Sequence, residues 1–131
     1  MFVNLLSIGI GGALGTFFRF LLNNYTLHVG FPVGTIVENL LGSFLLGAIS
    51  GWVLTNKMAE WLRLGIGVGL CGGFTTMSTL AADSLFLHTH SSLFNTLLYL
   101  LLSLFGGISL AFIGFLLGDK WGRVQGKVES K

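Results

Sequence analysis

Four apolar runs account for most of this chain, and each is about as long as a bilayer is thick. They cover about Phe2–Leu22 and Pro32–Leu54, then a third run that starts near Met58, then Leu93–Gly118. A helix needs about 20 mainly apolar residues to cross hydrocarbon. A chain of 131 residues, 53% hydrophobic and 9% charged, with a mean hydropathy of +0.84, therefore has room for four spans and no separate soluble domain. The expected fold is an all-α membrane protein: one four-helix transmembrane domain over residues 1–131, with a polar cytoplasmic tail from about 119 to 131 that is disordered at its end. No Lys or Arg precedes Arg19, so the first run reads as an uncleaved span and not as a signal peptide.

The same composition excludes other classes. A net charge of +2 with peripheral basic residues does not suit nucleic-acid binding. A lone Cys71 has no partner for an internal disulfide and reads as a small packing residue. His88 and His90 form an H-x-H pair without a third ligand nearby, which reads as solvated.

Polar residues inside the apolar runs are informative, because hydrocarbon offers them no water. The third run is interrupted by Gly72-Gly73-Phe74-Thr75-Thr76-Met77-Ser78-Thr79-Leu80, rich in glycine and hydroxyls and poor in helix formers. Two readings stand side by side: a broken span, which is tolerated where it lines a polar cavity, and a kink with packing glycines. In the second run Thr35, Asn39 and Ser43 recur at i, i+4 and share one helix face, and Pro32 suits the first turn. Glu38 borders that stripe. An intramembrane carboxylate points to function; the competing reading is a protonated Glu bonded to a neighbouring helix. Arg19, near the far end of the first run, either snorkels to the interface or pairs inside the protein. Asp83, one turn past the break, could ligate, cap or sit at the membrane interface, and the last is the favoured reading. In the fourth run Thr96, Tyr99 and Ser103 share a side, as interhelical glue or as a pore lining. Gly11 with Gly15, and Gly114 with Gly118, repeat a small-xxx-small spacing that lets helices approach closely.

Lys57, Arg63, Lys120, Arg123, Lys127 and Lys131 all fall on one side of a four-span arrangement, and the two opposite loops carry no Lys or Arg. The positive-inside rule then places both termini in the cytoplasm.

Three segments, taken in order, resemble the Fluc/CrcB fluoride channel family: Gly11-Gly12-Ala13-Leu14-Gly15-Thr16-Phe17-Phe18-Arg19-Phe20, Gly34-Thr35-Ile36-Val37-Glu38-Asn39-Leu40-Leu41-Gly42-Ser43-Phe44, and the Gly72–Leu80 stretch. The resemblance covers nearly the whole chain. It implies an antiparallel, dual-topology dimer with two fluoride pathways between subunits, in the plasma membrane of a prokaryote. It implies a structural sodium ion at the dimer centre, held by the main-chain carbonyls of Gly72 and Thr75 from both subunits. It places Asn39, Ser78, Thr79, Tyr99 and Ser103 along the pathway, with Thr35 on the same polar face. Arg19 and Asp83 match the family's span-one arginine and vestibule carboxylate.

The implied chemistry is coherent on its own terms. Fluoride is small and strongly hydrated, so a dry path must replace its water with N–H and O–H donors that carry no trapping charge. Sodium is a hard cation suited to carbonyl oxygens at a helix break. No bond is made or broken, so no catalytic residue is called for.

Two features depart from the family pattern. Phenylalanines usually flank the Ser-Thr pair, and this chain has Met77 and Leu80, without a positive ring edge. An aliphatic residue usually precedes the asparagine, and here it is Glu38. The one-sided basic bias also argues against a chain that inserts both ways, and for a fixed-topology subunit paired with an oppositely inserted paralogue. The leading function is a fluoride-selective channel subunit that exports cytoplasmic fluoride passively and lowers its toxicity. The rivals are a proton-coupled multidrug-type exporter using Glu38, although the small exporters of that kind carry their glutamate in the first helix, and a non-conducting structural subunit.

Overall fold

The computed structural model describes residues 1–129. Among them, four helical runs are long and apolar enough to cross a membrane: Phe2–Thr26, Val33–Val53, Glu60–His90 and Leu93–Gly126. This is an all-α, multi-pass membrane protein. Helix α1 is Phe2–Thr26, and a short 3-10 turn, Leu27–Val29, ends at Gly30, whose φ of +68° requires the residue without a Cβ. Helix α2 is Val33–Val53.

The third span is built in pieces. Helix α3, Glu60–Arg63, passes into a π-wound stretch, Leu64–Cys71, and then into a single turn, α4, Gly72–Phe74. Thr75 and Thr76 are extended, and the chain turns helical again as α5, Met77–His90. The span is therefore broken, as one of the two sequence readings has it. The break lies at Thr75–Thr76 and not at Gly72-Gly73, which are still helical, and helix resumes at Met77, inside the stretch from Gly72 to Leu80 that the sequence marks as interrupted. Gly73 serves packing, against the backbone of Gly12 on α1, while Gly72 meets nothing within 4 Å.

Helix α6 runs from Leu93 to Glu129, so most of the expected polar tail continues the fourth helix. Lys, Arg and Gln are good helix formers, and Arg123 pairs with Asp119 one turn back at 2.9 Å. The loop after α2 also rests on this extension, where Thr55 and Asn56 crowd Gly122. The end of the tail at 130–131 lies outside the described residues.

Backbone contact between glycines holds the spans together. A Cβ on Gly47 or Gly51 of α2 would run into the carbonyls of Ala111 and Phe115 on α6, and one on Gly114 or Gly118 of α6 would meet those of Phe44 and Ala48 on α2. The two helices thus interlock reciprocally. On the other side, Gly11 and Gly15 of α1 lie against Gly65 and Leu70 of the π-wound stretch, and a Cβ on Gly69 would stand 2.7 Å from the Ile8 carbonyl oxygen. Such close approach maximises dispersion contact where lipid provides no hydrophobic drive between helices.

The resulting distribution of polarity is inverted relative to a water-soluble protein. Buried apolar side chains are few among the described residues: Cys71, Leu80, Leu87 and Tyr99. Thr35, Glu38, Thr76, Thr96 and Ser103 are buried as well. Leucines and phenylalanines such as Phe17, Phe20, Leu101, Phe105 and Phe112 point outward. Cys71 is buried and free, as its lone status predicts.

Candidate functional site

The extended pair Thr75–Thr76 exposes backbone groups at membrane depth, and each needs a partner. Asn39 on α2 supplies two. Its Nδ2 donates to the Thr76 carbonyl at 3.0 Å, and its Oδ1 accepts from the Thr76 N–H at 2.8 Å. The side-chain amide thus stands in for the missing helical acceptor of the Thr76 N–H and adds a second donor to a carbonyl that already opens α5. The Thr76 hydroxyl caps α5 by accepting from the Thr79 N–H at 3.1 Å. It also donates to Thr79 Oγ1 at 3.0 Å and lies 3.2 Å from Ser78 Oγ. Before the break, Thr75 closes onto the Cys71 carbonyl through both its N–H and its hydroxyl, each at 2.9 Å.

These diversions free two carbonyls. In a continuous helix the Thr76 N–H would bond the Gly72 carbonyl, and the Thr79 N–H would bond that of Thr75. Here the first goes to Asn39 and the second to the Thr76 hydroxyl. Gly72 and Thr75 both line a groove of ≈ 930 Å³ that runs between α2, the third span and α6. Main-chain carbonyl oxygens that have lost their helical donors are hard ligands of the kind a cation such as sodium takes. No group of three His, Cys, Asp or Glu side chains is present among the described residues, and His88 and His90 are exposed, with His90 stacked on Phe86.

One helical turn away lies a second cluster. Asp83 Oδ2 accepts from Thr35 Oγ1 at 2.7 Å and from Tyr99 OH at 2.9 Å. Tyr99 is fully buried, with Phe31 edge-on against its ring. Asp83 therefore ties α2, α5 and α6 together and is half-buried, where the sequence suggested an interfacial residue. Thr96, Tyr99 and Ser103 are all buried on one face of α6, as their spacing predicts, and the Ser103 hydroxyl has no partner. Thr35 and Asn39 likewise follow each other along α2, so the two clusters form one stripe.

Glu38 sits between them, completely buried, and neither carboxyl oxygen has a hydrogen-bond partner. Arg19 is half-buried and is, with Asp83, one of the charged groups whose fields reach Glu38. Of the two residues that replace phenylalanines, Met77 is 70% exposed and Leu80 is buried, and both line the groove. Ser78 is exposed and Thr79 half-buried.

A family model described as "CrcB-like protein, Camphor Resistance (CrcB)" matches residues 6–115. The chain belongs to this family. Among CrcB relatives, "Fluoride-specific ion channel FluC 2" of Halalkalibacterium halodurans is 59% identical over 116 residues, covering 88% of this chain and 86% of that protein. "Fluoride-specific ion channel FluC 2" of Bacillus subtilis is 40% identical over 91% of this chain and 90% of its own length. "Fluoride-specific ion channel FluC" of Thermus thermophilus is 40% identical over 86% of this chain and 91% of its own length.

Sequence reasoning misses Thr76 in this CrcB chain. It sits at the centre of the capped break, bonded to Asn39, Ser78 and Thr79, yet the resemblance singles out only its neighbour Thr75. A mid-membrane asparagine must find a partner, and an extended backbone on the facing span is the available one. That signal is present in the sequence.

Proposed function

We propose that this chain is one subunit of a fluoride-selective channel through which cytoplasmic fluoride leaves passively. The 59% identity to a relative named as a fluoride-specific ion channel, over 88% of this chain, carries the reading. No catalytic step is involved. The polar stripe gives it a mechanism. Fluoride passing between spans sheds water onto Asn39, Ser78, Thr79 and Ser103, which offer neutral donors, while the Thr35 and Tyr99 hydroxyls on the same stripe donate to Asp83. One N–H of Asn39 holds Thr76 and the other is left for an anion, and the Ser103 O–H is unpaired. Met77 and Leu80 provide the apolar wall where an aromatic edge would otherwise point at the ion. Gly72 and Thr75 hold a structural sodium through their carbonyls, and its positive charge favours nearby anions.

The functional unit is an antiparallel dimer. The groove that receives Gly72, Thr75 and Asn39 is open in the single chain, which supports a second subunit closing it. The one-sided Lys and Arg distribution favours a partner of opposite insertion, a paralogue, with both termini of this chain in the cytoplasm of a prokaryotic cell. The relatives from Halalkalibacterium halodurans and Bacillus subtilis both carry the numeral 2 in their names, which fits a chain that works beside a first.

Fluoride efflux from proteoliposomes, read with a fluoride electrode after a potassium ionophore is added, tests this reading. Co-reconstitution with the paralogue is expected to give rapid fluoride efflux with chloride retained. The chain alone is expected to give little. Equal flux from the chain alone would remove the paralogue from the reading, and chloride efflux at the fluoride rate would remove the fluoride selectivity.

A further inference from the structure

Glu38 is the one buried carboxylate in the site for which the fluoride reading has no use. It follows Thr35 by three residues and precedes Asn39, so it stands where the two polar clusters meet. It is fully buried already in the single chain, and both its oxygens lack donors. Among the described residues the salt bridge present is Arg123 with Asp119, so no cation is paired with Glu38.

The charged and titratable groups that face it are few. Arg19 comes from α1, Asp83 from α5 and Tyr99 from α6. Helix α2 carries no other charged side chain, and Leu64–Phe74 carries none. The fields of Arg19 and Asp83 oppose each other, so hydration and hydrogen bonding decide. Here the two carboxyls differ sharply. Asp83 accepts two O–H donors on one oxygen. Glu38 receives none. A charge on Glu38 therefore has no hydrogen bond to stabilise it in a place without water.

We propose that Glu38 is a protonation switch on the anion path. In the neutral state its O–H joins the free N–H of Asn39 and an anion passes. In the ionised state its charge lies beside Asn39 and excludes anions. The switch is lost in a channel with an aliphatic residue at this place. It rests on the fluoride reading for the identity of the anion, and it predicts that conduction falls as pH rises.

The test has two arms. In the conducting assembly, fluoride efflux is measured between about pH 5 and about pH 9, a range that covers the titration of buried glutamates. Wild-type flux is expected to fall on the order of tenfold toward the alkaline end, the change that one unit of differential charge interaction produces. E38Q keeps a donor and cannot ionise, so its flux is expected to be flat with pH, while E60Q, at an exposed position, keeps the wild-type profile. A flat wild-type profile, or a wild-type decline retained in E38Q, overturns the proposal. The second arm needs no flux: infrared spectra of the reconstituted chain at neutral pH. A protonated-carboxyl C=O stretch that disappears in E38Q supports the proposal, and its absence from the wild type overturns it. If no assembly conducts fluoride, the reading of the previous subsection fails, and the infrared band still decides where the proton is.

Discussion

Single side chains here take the place that a backbone ladder holds elsewhere. Asn39 bonds both the N–H and the C=O of Thr76, and N39A leaves that buried N–H without a partner, while the C=O keeps the first helical bond of α5. At about 1–3 kcal/mol for one unpaired buried donor, N39A is expected to lower stability by that amount, read as a loss of thermal stability in detergent. Thr35 and Tyr99 share one oxygen of Asp83. Y99F or T35V alone leaves the carboxylate one donor and is expected to cost about 1.5–3 kcal/mol. The double variant leaves it none and is expected to lose more than the sum, which a double-mutant cycle on unfolding free energy measures. Much of this was legible in the sequence. The spacing of Thr35 with Asn39, and of Tyr99 with Ser103, put the right residues on the right faces. Their partners were not legible, because Thr76 and Asp83 reach them across the fold, at separations of 37 and 48 residues.

At the level of elements, the lengths of the apolar runs set the number of spans, and the glycine spacings marked where helices touch. The winding of Leu64–Cys71 could not be read in this way. A π-wound run is rare in any sequence, and it survives here because Gly65 and Gly69 let α1 press directly on the backbone. The end of α6 escaped the sequence for the opposite reason: polar composition suggests a tail, while local propensity and an i, i+4 ion pair extend the helix. The α2–α6 ladder makes a comparison of two glycines decisive. G51V drives a side chain into the Phe115 carbonyl, an overpacking of at least about 1–3 kcal/mol. G9A on α1 meets nothing within 4 Å. Folded yield by size-exclusion chromatography is expected to collapse for G51V and to hold for G9A.

For the molecule as a whole, charge placement makes the proposed orientation testable. Lys57, Arg63, Lys120 and Arg123 gather at one end of the spans, and a reporter fused to the C-terminus is expected to be active only in the cytoplasm. Adding several lysines to the loop between α1 and α2 is expected to move part of the population to the opposite topology, read as reporter activity on the far side. The inverted distribution of polarity has a thermal consequence. Heat-capacity change on unfolding follows the apolar surface newly given to water. This fold buries few apolar side chains, and its phenylalanines and leucines keep an apolar environment whether or not the helices are packed. Separating the spans within the bilayer should therefore barely change the heat capacity, so its free energy is expected to vary almost linearly with temperature, without the cold-side decline that hydrophobic cores bring.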